Sequence, residues 1–434
     1  MIPKQNLQNG IFELEIIEGK IEKISFGKNR FIEKIQEFTA FGNSENQVLN
    51  IDDINQGIYQ INRLQSNHAT MKIEPGSSTG LSNITIDNNK KFPANFTISR
   101  DNLGNNFTGI QRTSFATNLD NLLFLNDNLN LNYTTNLDDN AKVKNIKSLA
   151  GSLSIPFKYN TLSFDYYKSE FRGQNHGNSG AIALTGFSNQ RKITLDRVLL
   201  SKNNFRLTSD ISLTIKDSAS FLNGEEITTS KRNLSIFNLG FSISSYLNDT
   251  TNIYIKPSYS RGLSILGAQK DRKNISSDIA KAQFETFKLY AAISKKLTIP
   301  KVDIPILLGI EMNGQIAKDT LFGSEQISIG GYYSVRGFRE NYINGNSGYY
   351  LRSKINFDAG SMVKLEPFYD YGYISSQKYL KGGSLAGAGI KSIFLGKYFN
   401  ASLTYSWVIN QSGLSFANEK ENKMLYFELS AKCC

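Results

Sequence analysis

The chain has 434 residues, a formal net charge of +11, 40% hydrophobic and 12% aromatic residues, and only 8 prolines. No window holds the ~20 consecutive apolar residues that a spanning helix needs, and the aromatic and β-branched content excludes intrinsic disorder. Two cysteines at the extreme C-terminus (Cys433, Cys434) exclude a disulfide framework or a cysteine zinc cluster, and two histidines (His68, His176) argue against a histidine metal site or triad.

The charge is uneven along the chain. Residues 1–91 carry 10 Lys and Arg against 11 Asp and Glu, whereas the remaining 343 residues carry 39 against 27. The basic residues are scattered, with no Lys/Arg run, basic helix or RNP-type motif. They fit a polar channel lining or charged outer loops better than a nucleic-acid surface. Met1–Gln5 begins polar and no apolar stretch follows, so no cleavable export signal is visible.

Residues 1–88 show a small α/β pattern. Ile11–Ile17 alternates apolar and acidic residues as a half-buried strand does, and a second strand follows at Lys20–Phe26. Phe31, Ile32, Ile35 and Phe38 repeat at helical spacing within Asn29–Phe41. Asn50 is placed to cap a second helix carrying Ile51, Ile54, Ile58, Ile61 and Leu64 at intervals of three and four. Strands at Ala69–Glu74 and Ser82–Asp87, around the turn Pro75-Gly76, close the unit. The isoleucines and Met71 read as its core, leaving Gln60, Arg63 and Gln65 as exposed neighbours.

Residues 92–434 consist of segments of about 8–15 residues that alternate apolar with small polar side chains. Phe237, Leu239, Phe241 and Ile243 alternate with Asn238, Gly240, Ser242 and Ser244; Ala401, Leu403, Tyr405 and Trp407 alternate with Ser402, Thr404 and Ser406. A soluble sandwich also alternates, but its outer face is rich in Lys, Glu and Thr. Here the polar face is Ser, Asn, Gly and Thr, and aromatics recur near segment ends, the dyad pattern of a transmembrane barrel. Sixteen strands are expected to start near residues 94, 107, 126, 145, 160, 181, 205, 231, 250, 282, 303, 347, 363, 385, 399 and 423. An even number suits antiparallel closure, which leaves no lipid-exposed edge.

The long loop at about 318–346 contains Ile327–Glu340 (I-S-I-G-G-Y-Y-S-V-R-G-F-R-E), with Val335-Arg336-Gly337-Phe338 at its centre. Glu366–Tyr373 (E-P-F-Y-D-Y-G-Y) supplies an F-x-D-x-G pattern through Phe368, Asp370 and Gly372 on the thirteenth strand. These two motifs, in this order and setting, resemble the haemolysin secretion/activation transporters of two-partner secretion (the ShlB/FhaC/HecB, or TpsB, type). Residues 2–24 resemble the end of a first POTRA domain passing into a second, and 49–76 resemble the second domain's helix and strand.

The resemblance implies a mainly β protein. A remnant of a first POTRA domain (1–19) and a second POTRA domain of POTRA_2 type (20–88) precede a 16-stranded antiparallel transmembrane barrel (92–434). It implies a bacterial outer-membrane transporter with periplasmic POTRA domains and no cofactor. An unfolded exoprotein of the haemolysin or filamentous haemagglutinin class, carrying an N-terminal secretion domain, would cross the barrel without ATP. Outer-membrane lipid and the barrel assembly machinery would be further partners, nucleic acid would not, and the chain would act as a monomer. By the same analogy the loop folds into the lumen and Arg336 reaches Asp370, while β-augmentation on Ala69–Glu74 would seat substrate beside Gln60, Arg63 and Gln65. No catalytic constellation is found.

The chain departs from the family pattern in starting inside the first POTRA domain and in ending on Cys433-Cys434 instead of a phenylalanine. An inactive truncated copy is therefore one expectation. The alternatives are a passive outer-membrane pore, a barrel-insertion factor of the same superfamily and, more distantly, a soluble β-sandwich adhesin.

Overall fold

The computed structural model describes residues 16–26, 31–137, 143–177, 180–299, 304–358, 360, 362–377, 381–413 and 421–433. The expected strand at Ile11–Ile17 therefore lies mostly outside the described residues, as do Cys434 and nearly all of the proposed remnant 1–19. Ile16 and Ile17 belong to no strand.

The chain divides into two compact units. The first comprises residues 1–94 with 119–128 and 154–161. Its elements follow the order strand, helix, helix, strand, strand: β1 (Lys20–Phe26), α1 (Phe31–Phe41), α2 (Ile51–Asn62), β2 (Ala69–Pro75) and β3 (Leu81–Asn88). β3 is central, parallel to β1 and antiparallel to β2, so β2 is an edge strand. Asn50 caps α2 by accepting from the Asp52 amide at 2.9 Å, satisfying one of the orphan donors of the first turn. Both helices cover one face of the sheet, and Ile21, Ile24, Phe26, Ile54, Ile61, Ile84 and Ile86 form the dry core. Ile58 and Met71 pack against it. Ile51 does not. As the first residue of α2 it is 46% exposed, because the first turn has not yet rotated onto the sheet.

The second unit is a closed antiparallel barrel. Its strands are Ala94–Asp101, Arg112–Asp120, Asn128–Thr135, Asn145–Phe157, Asn160–Gly177, Gly180–Lys202, Phe205–Leu222 and Arg232–Asn248. Thr251–Leu263, Glu285–Ile299, Ile304–Ala317, Gly348–Asp358, Val363–Ile374, Gly383–Leu395, Phe399–Ser412 and Lys423–Cys433 complete the sixteen. A two-residue strand, Glu225–Glu226, merely extends one hairpin. The last strand closes on the first through the pairs from Glu428↔Asp101 to Cys433↔Phe96.

The second strand begins at Arg112, five residues later than expected. Asn105 accepts from both the amide and the hydroxyl of Thr108, and the Gly104 amide donates to the Ile110 carbonyl at 2.8 Å. This side-chain-supported turn competes with the ladder. The strand Gly180–Lys202 runs 23 residues, well past the ~10 that cross a bilayer.

Side-chain polarity is inverted in the barrel. The buried wall positions include Thr194, Asp210, Ser212, Thr214, Ser260, Thr286, Thr404 and Ser406, while Phe287, Leu403, Tyr405, Trp407, Ile409 and Leu425 are exposed. Only an apolar solvent outside and a polar lumen inside make that arrangement favourable.

Candidate functional site

The loop between Ile304–Ala317 and Gly348–Asp358 folds onto the inner wall. On Val363–Ile374 the outward side chains Tyr369 and Tyr373 are exposed, whereas Phe368, Asp370 and Ile374 are buried and face the loop. The short strands Ile327–Ile329 and Ile343–Gly345 pair antiparallel and give the loop a fixed base. Ile327, Ile329, Val335, Phe338 and Ile343 then pack with Ile374 and Leu385 of the wall in a small apolar core.

Arg336 lies at the edge of this core with its side chain only 3% exposed. Its Nε donates to Asp370 Oδ2 at 2.7 Å and its Nη2 to Oδ1 at 2.9 Å, a bidentate pair. The Arg336 amide also donates to Oδ2 at 3.1 Å, and Nη1 reaches Glu366 Oε1 at 3.3 Å. The guanidinium carbon stands 3.4 Å from the centroid of the Phe368 ring. Planar stacking on one face and a forked pair at the edge is a geometry that lysine could not reproduce.

The motif residues thus meet. Val335 and Phe338 are fully buried core, Arg336 and Asp370 are paired, and Phe368 stacks. Gly337 has φ +116°, a left-handed conformation that a Cβ would strain. Gly372 answers a different need, since a Cβ there would stand 2.9 Å from Ile329 and 3.0 Å from Val335.

Further contacts hold the loop that sequence reasoning did not assign. Glu366, within the E-P-F-Y-D-Y-G-Y stretch, is a second carboxylate on Arg336. Lys391 donates to the Tyr332 hydroxyl at 2.8 Å and pairs with Glu428 at 2.9 Å; Tyr332 also bonds Glu428, and Ser402 donates to it at 3.0 Å. The Tyr426 hydroxyl donates to the Phe338 carbonyl at 2.8 Å and accepts from the Gly337 amide at 3.3 Å. The amides of Arg339, Glu340 and Asn341 converge on the Glu421 carboxylate at 3.0 to 3.2 Å. A Cβ at Gly387 would collide with the Arg336 carbonyl, and one at Gly389 with the Phe368 ring. The small alternating run Gly383–Gly389 (G-S-L-A-G-A-G) was the available signal for such a close approach.

In the first unit, Gln60 is buried at 2% exposure, which corrects the exposed position expected of it. Its Nε2 donates to the Lys158 carbonyl at 2.8 Å beside a like bond from Gln56. Arg63 is half-buried, donating to Ser154 Oγ at 2.6 Å and to the Asn126 carbonyl at 2.8 Å. Burial lowers its pKa, with nearby tyrosine and aspartate charges opposing. Both side chains are engaged because α2 turns these positions away from solvent. Gln65, just past the helix, is exposed. The three are therefore not brought together as one open surface. Among the described residues no group of three or more His, Cys, Asp or Glu could hold a metal ion.

A family model described as "Haemolysin secretion/activation protein ShlB/FhaC/HecB" matches residues 80–392, and a POTRA domain model of the POTRA_3 type matches residues 20–75. The chain is 30% identical over 418 residues to the outer membrane transporter CdiB of Dickeya dadantii (strain 3937), covering 94% of this chain and 73% of that protein. It is 27% identical over 352 residues to the hemolysin transporter protein ShlB of Serratia marcescens, covering 80% of this chain and 60% of that protein. The solved structure of CdiB from Escherichia coli superposes with a TM-score of 0.91 at 23% identity, covering all of this chain and 80% of that one, a likeness of fold.

Proposed function

The chain belongs to the haemolysin secretion/activation protein family typified by ShlB, FhaC and HecB, and on that footing we propose that it moves an unfolded exoprotein across the outer membrane through its barrel in a two-partner secretion system. The cargo is an exoprotein of the haemolysin or filamentous haemagglutinin-like adhesin class bearing an N-terminal secretion domain. Residues 20–88 act as a POTRA domain, receiving the extended cargo on the periplasmic side by strand addition to the free edge of β2. No nucleotide or catalytic step is required, because folding of the cargo outside makes each forward step hard to reverse.

One observation carries this reading: the loop is seated in the lumen by the Arg336–Asp370 pair. A passive pore has no need of a loop fastened by a buried, bidentate, ring-stacked arginine. Fully desolvated charges are costly when separated, so the pair holds one defined loop position, from which entry of the cargo displaces it. Val335, Gly337 and Phe338 shape the loop tip, and Phe368 and Gly372 shape the wall that receives it. Of the POTRA residues considered for recognition, Gln65 remains accessible to cargo, and Gln60 and Arg63 serve the fold of the first unit.

The test is Arg336→Ala in cells that make the cognate exoprotein. Exoprotein in the medium should fall to background while the barrel still migrates as a heat-modifiable, membrane-inserted species. Undiminished secretion would overturn the proposal. A general defect in the assembly of other barrels would identify an insertion factor instead.

A further inference from the structure

The connection Asn121–Asp127, between the strands Arg112–Asp120 and Asn128–Thr135, has its polarity inside out. Asn126 and Asp127 are fully buried, whereas Leu122, Leu123 and Phe124 are 51%, 46% and 47% exposed. The inversion is actively built. Asp127 accepts from the Leu123 amide at 3.0 Å and the Leu125 amide at 3.1 Å, and the Asn126 amide donates to Asn121 Oδ1 at 3.0 Å. The Asn126 side chain donates to the Gln36 carbonyl at 2.8 Å and to Thr39 Oγ1 at 2.9 Å. Phe124 is held at φ +62°, a left-handed conformation that a bulky aromatic avoids.

A turn in water would expose Asn and Asp and tuck its leucines inward. Here most of the turn's polar groups are consumed internally, Asn126 Oδ1 being buried without a partner, and backbone strain is accepted, to keep three consecutive large apolar side chains outside. The other described connections at this end of the barrel contrast with it. They are two or three residues long, three of them with Lys158, Asn203-Asn204 and Asp249-Thr250 at their tips and the fourth with Lys397 beside a single exposed aromatic, Tyr398. The connection 121–127 also runs directly into strands whose outward side chains, Phe115, Leu131 and Tyr133, are exposed on the lipid-facing wall.

We propose that Leu122, Leu123 and Phe124 form a membrane anchor that inserts into the headgroup–acyl boundary of the phospholipid leaflet at the short-turn end of the barrel. The apolar medium there accepts what water would not, and an interfacial depth of ~5–10 Å suits side chains of this size. The inference rests on the reading of residues 94–433 as a bilayer-spanning barrel.

The chain has one tryptophan, Trp407, on the outward face of the strand Phe399–Ser412, which gives the test an internal control. The full chain is reconstituted in phosphatidylcholine vesicles brominated near the headgroup end of the acyl chains or deeper. In the parent protein, Trp407 emission should be quenched by brominated lipid. In Trp407→Phe carrying Leu123→Trp, the emission should be quenched by the shallow bromines, blue-shifted and protected from iodide. Leu122→Trp in the same background serves as a second reporter should Leu123→Trp disturb the turn. Red-shifted, iodide-accessible emission from both reporters, with Trp407 quenched in the parent, would overturn the anchor and leave the barrel reading standing. An unquenched Trp407 in the parent would bring down the barrel reading and the anchor with it.

Discussion

In residues 20–88 the least exposed side chains are apolar, among them Phe26, Ile54, Ile61, Ile84 and Ile86, and the α2 surface carries Asp52, Asp53 and Asn55. In the barrel many buried wall positions are threonines, serines and aspartates, and many exposed ones are leucines, isoleucines and aromatics. Both regions obey one rule, that apolar surface leaves water. They differ in which side the water is on. Within the inverted barrel, the loop 318–347 restores the ordinary polarity on a small scale. Ile329, Val335 and Phe338 make an apolar island in a polar lumen, and at its border the Arg336–Asp370 pair is shielded from water. An ion pair in the open lumen would be screened and weak; against this island it becomes a fastener.

The sharpest way to break that contrast is to remove one charge. Arg336→Ala leaves Asp370, which is wholly buried, without its partner, and should cost about 3–5 kcal/mol in loop seating. Protease cleavage within 318–347 in detergent-solubilised protein should rise accordingly. Adding Asp370→Asn should restore part of the protection, since no carboxylate is then left bare. An equal effect of the single and double variants would show that the pair is as well solvated as a surface bridge.

In the first unit the matching change is apolar. Ile61→Ala opens a cavity at a position with no exposure and should cost about 2–5 kcal/mol. Amide exchange in the full chain should accelerate across β1, α2 and β3 while the barrel strands keep their protection. Ile293→Ser, on the lipid-facing wall, should leave exchange in the first unit unchanged.

A smaller effect is expected from Gly372→Ala. The added methyl would press on Ile329 and Val335 and should cost about 1–3 kcal/mol in loop seating. In planar bilayers this should appear as more frequent opening of the channel. Silent gating would show that the loop core can yield without moving.

The smallest effect concerns pH in the first unit. Burial, helped by the charge of Glu45, pushes Glu37 up to about 7, with Lys34 and Lys23 opposing. The folded domain therefore holds this proton more tightly than the unfolded chain does. Stability from Glu37 is fully present below the ordinary carboxylate range, around 4.5, and is lost as pH rises through about 7. Exchange protection of α1, corrected for intrinsic rates, should fall between about pH 4.5 and 7, and Glu37→Gln should flatten that fall. A slope that survives Glu37→Gln would assign it to another group.

The sequence by itself determined what depends on local periodicity. A strand repeats every two residues and a helix every 3.6, so sixteen alternating segments, two helices and the Asn50 cap were legible without coordinates. So were Arg336 and Asp370 as residues of two recognisable motifs. The face that α1 buries was not: Phe31, Ile32 and Phe38 are exposed, and Gln36, Thr39, Ala40 and Phe41 are buried instead. The start of the second strand was not, because the Asn105–Thr108 turn competes with a ladder whose partners are distant in sequence. Nor were the burial of Gln60, the Tyr332–Lys391–Glu428 cluster, the three amides on Glu421 or the space kept by Gly387. Those contacts join residues some 30 to 100 positions apart. Only the tertiary structure decided them, because which side chains meet across a lumen depends on barrel closure and the register of every intervening strand, and no local pattern carries that sum.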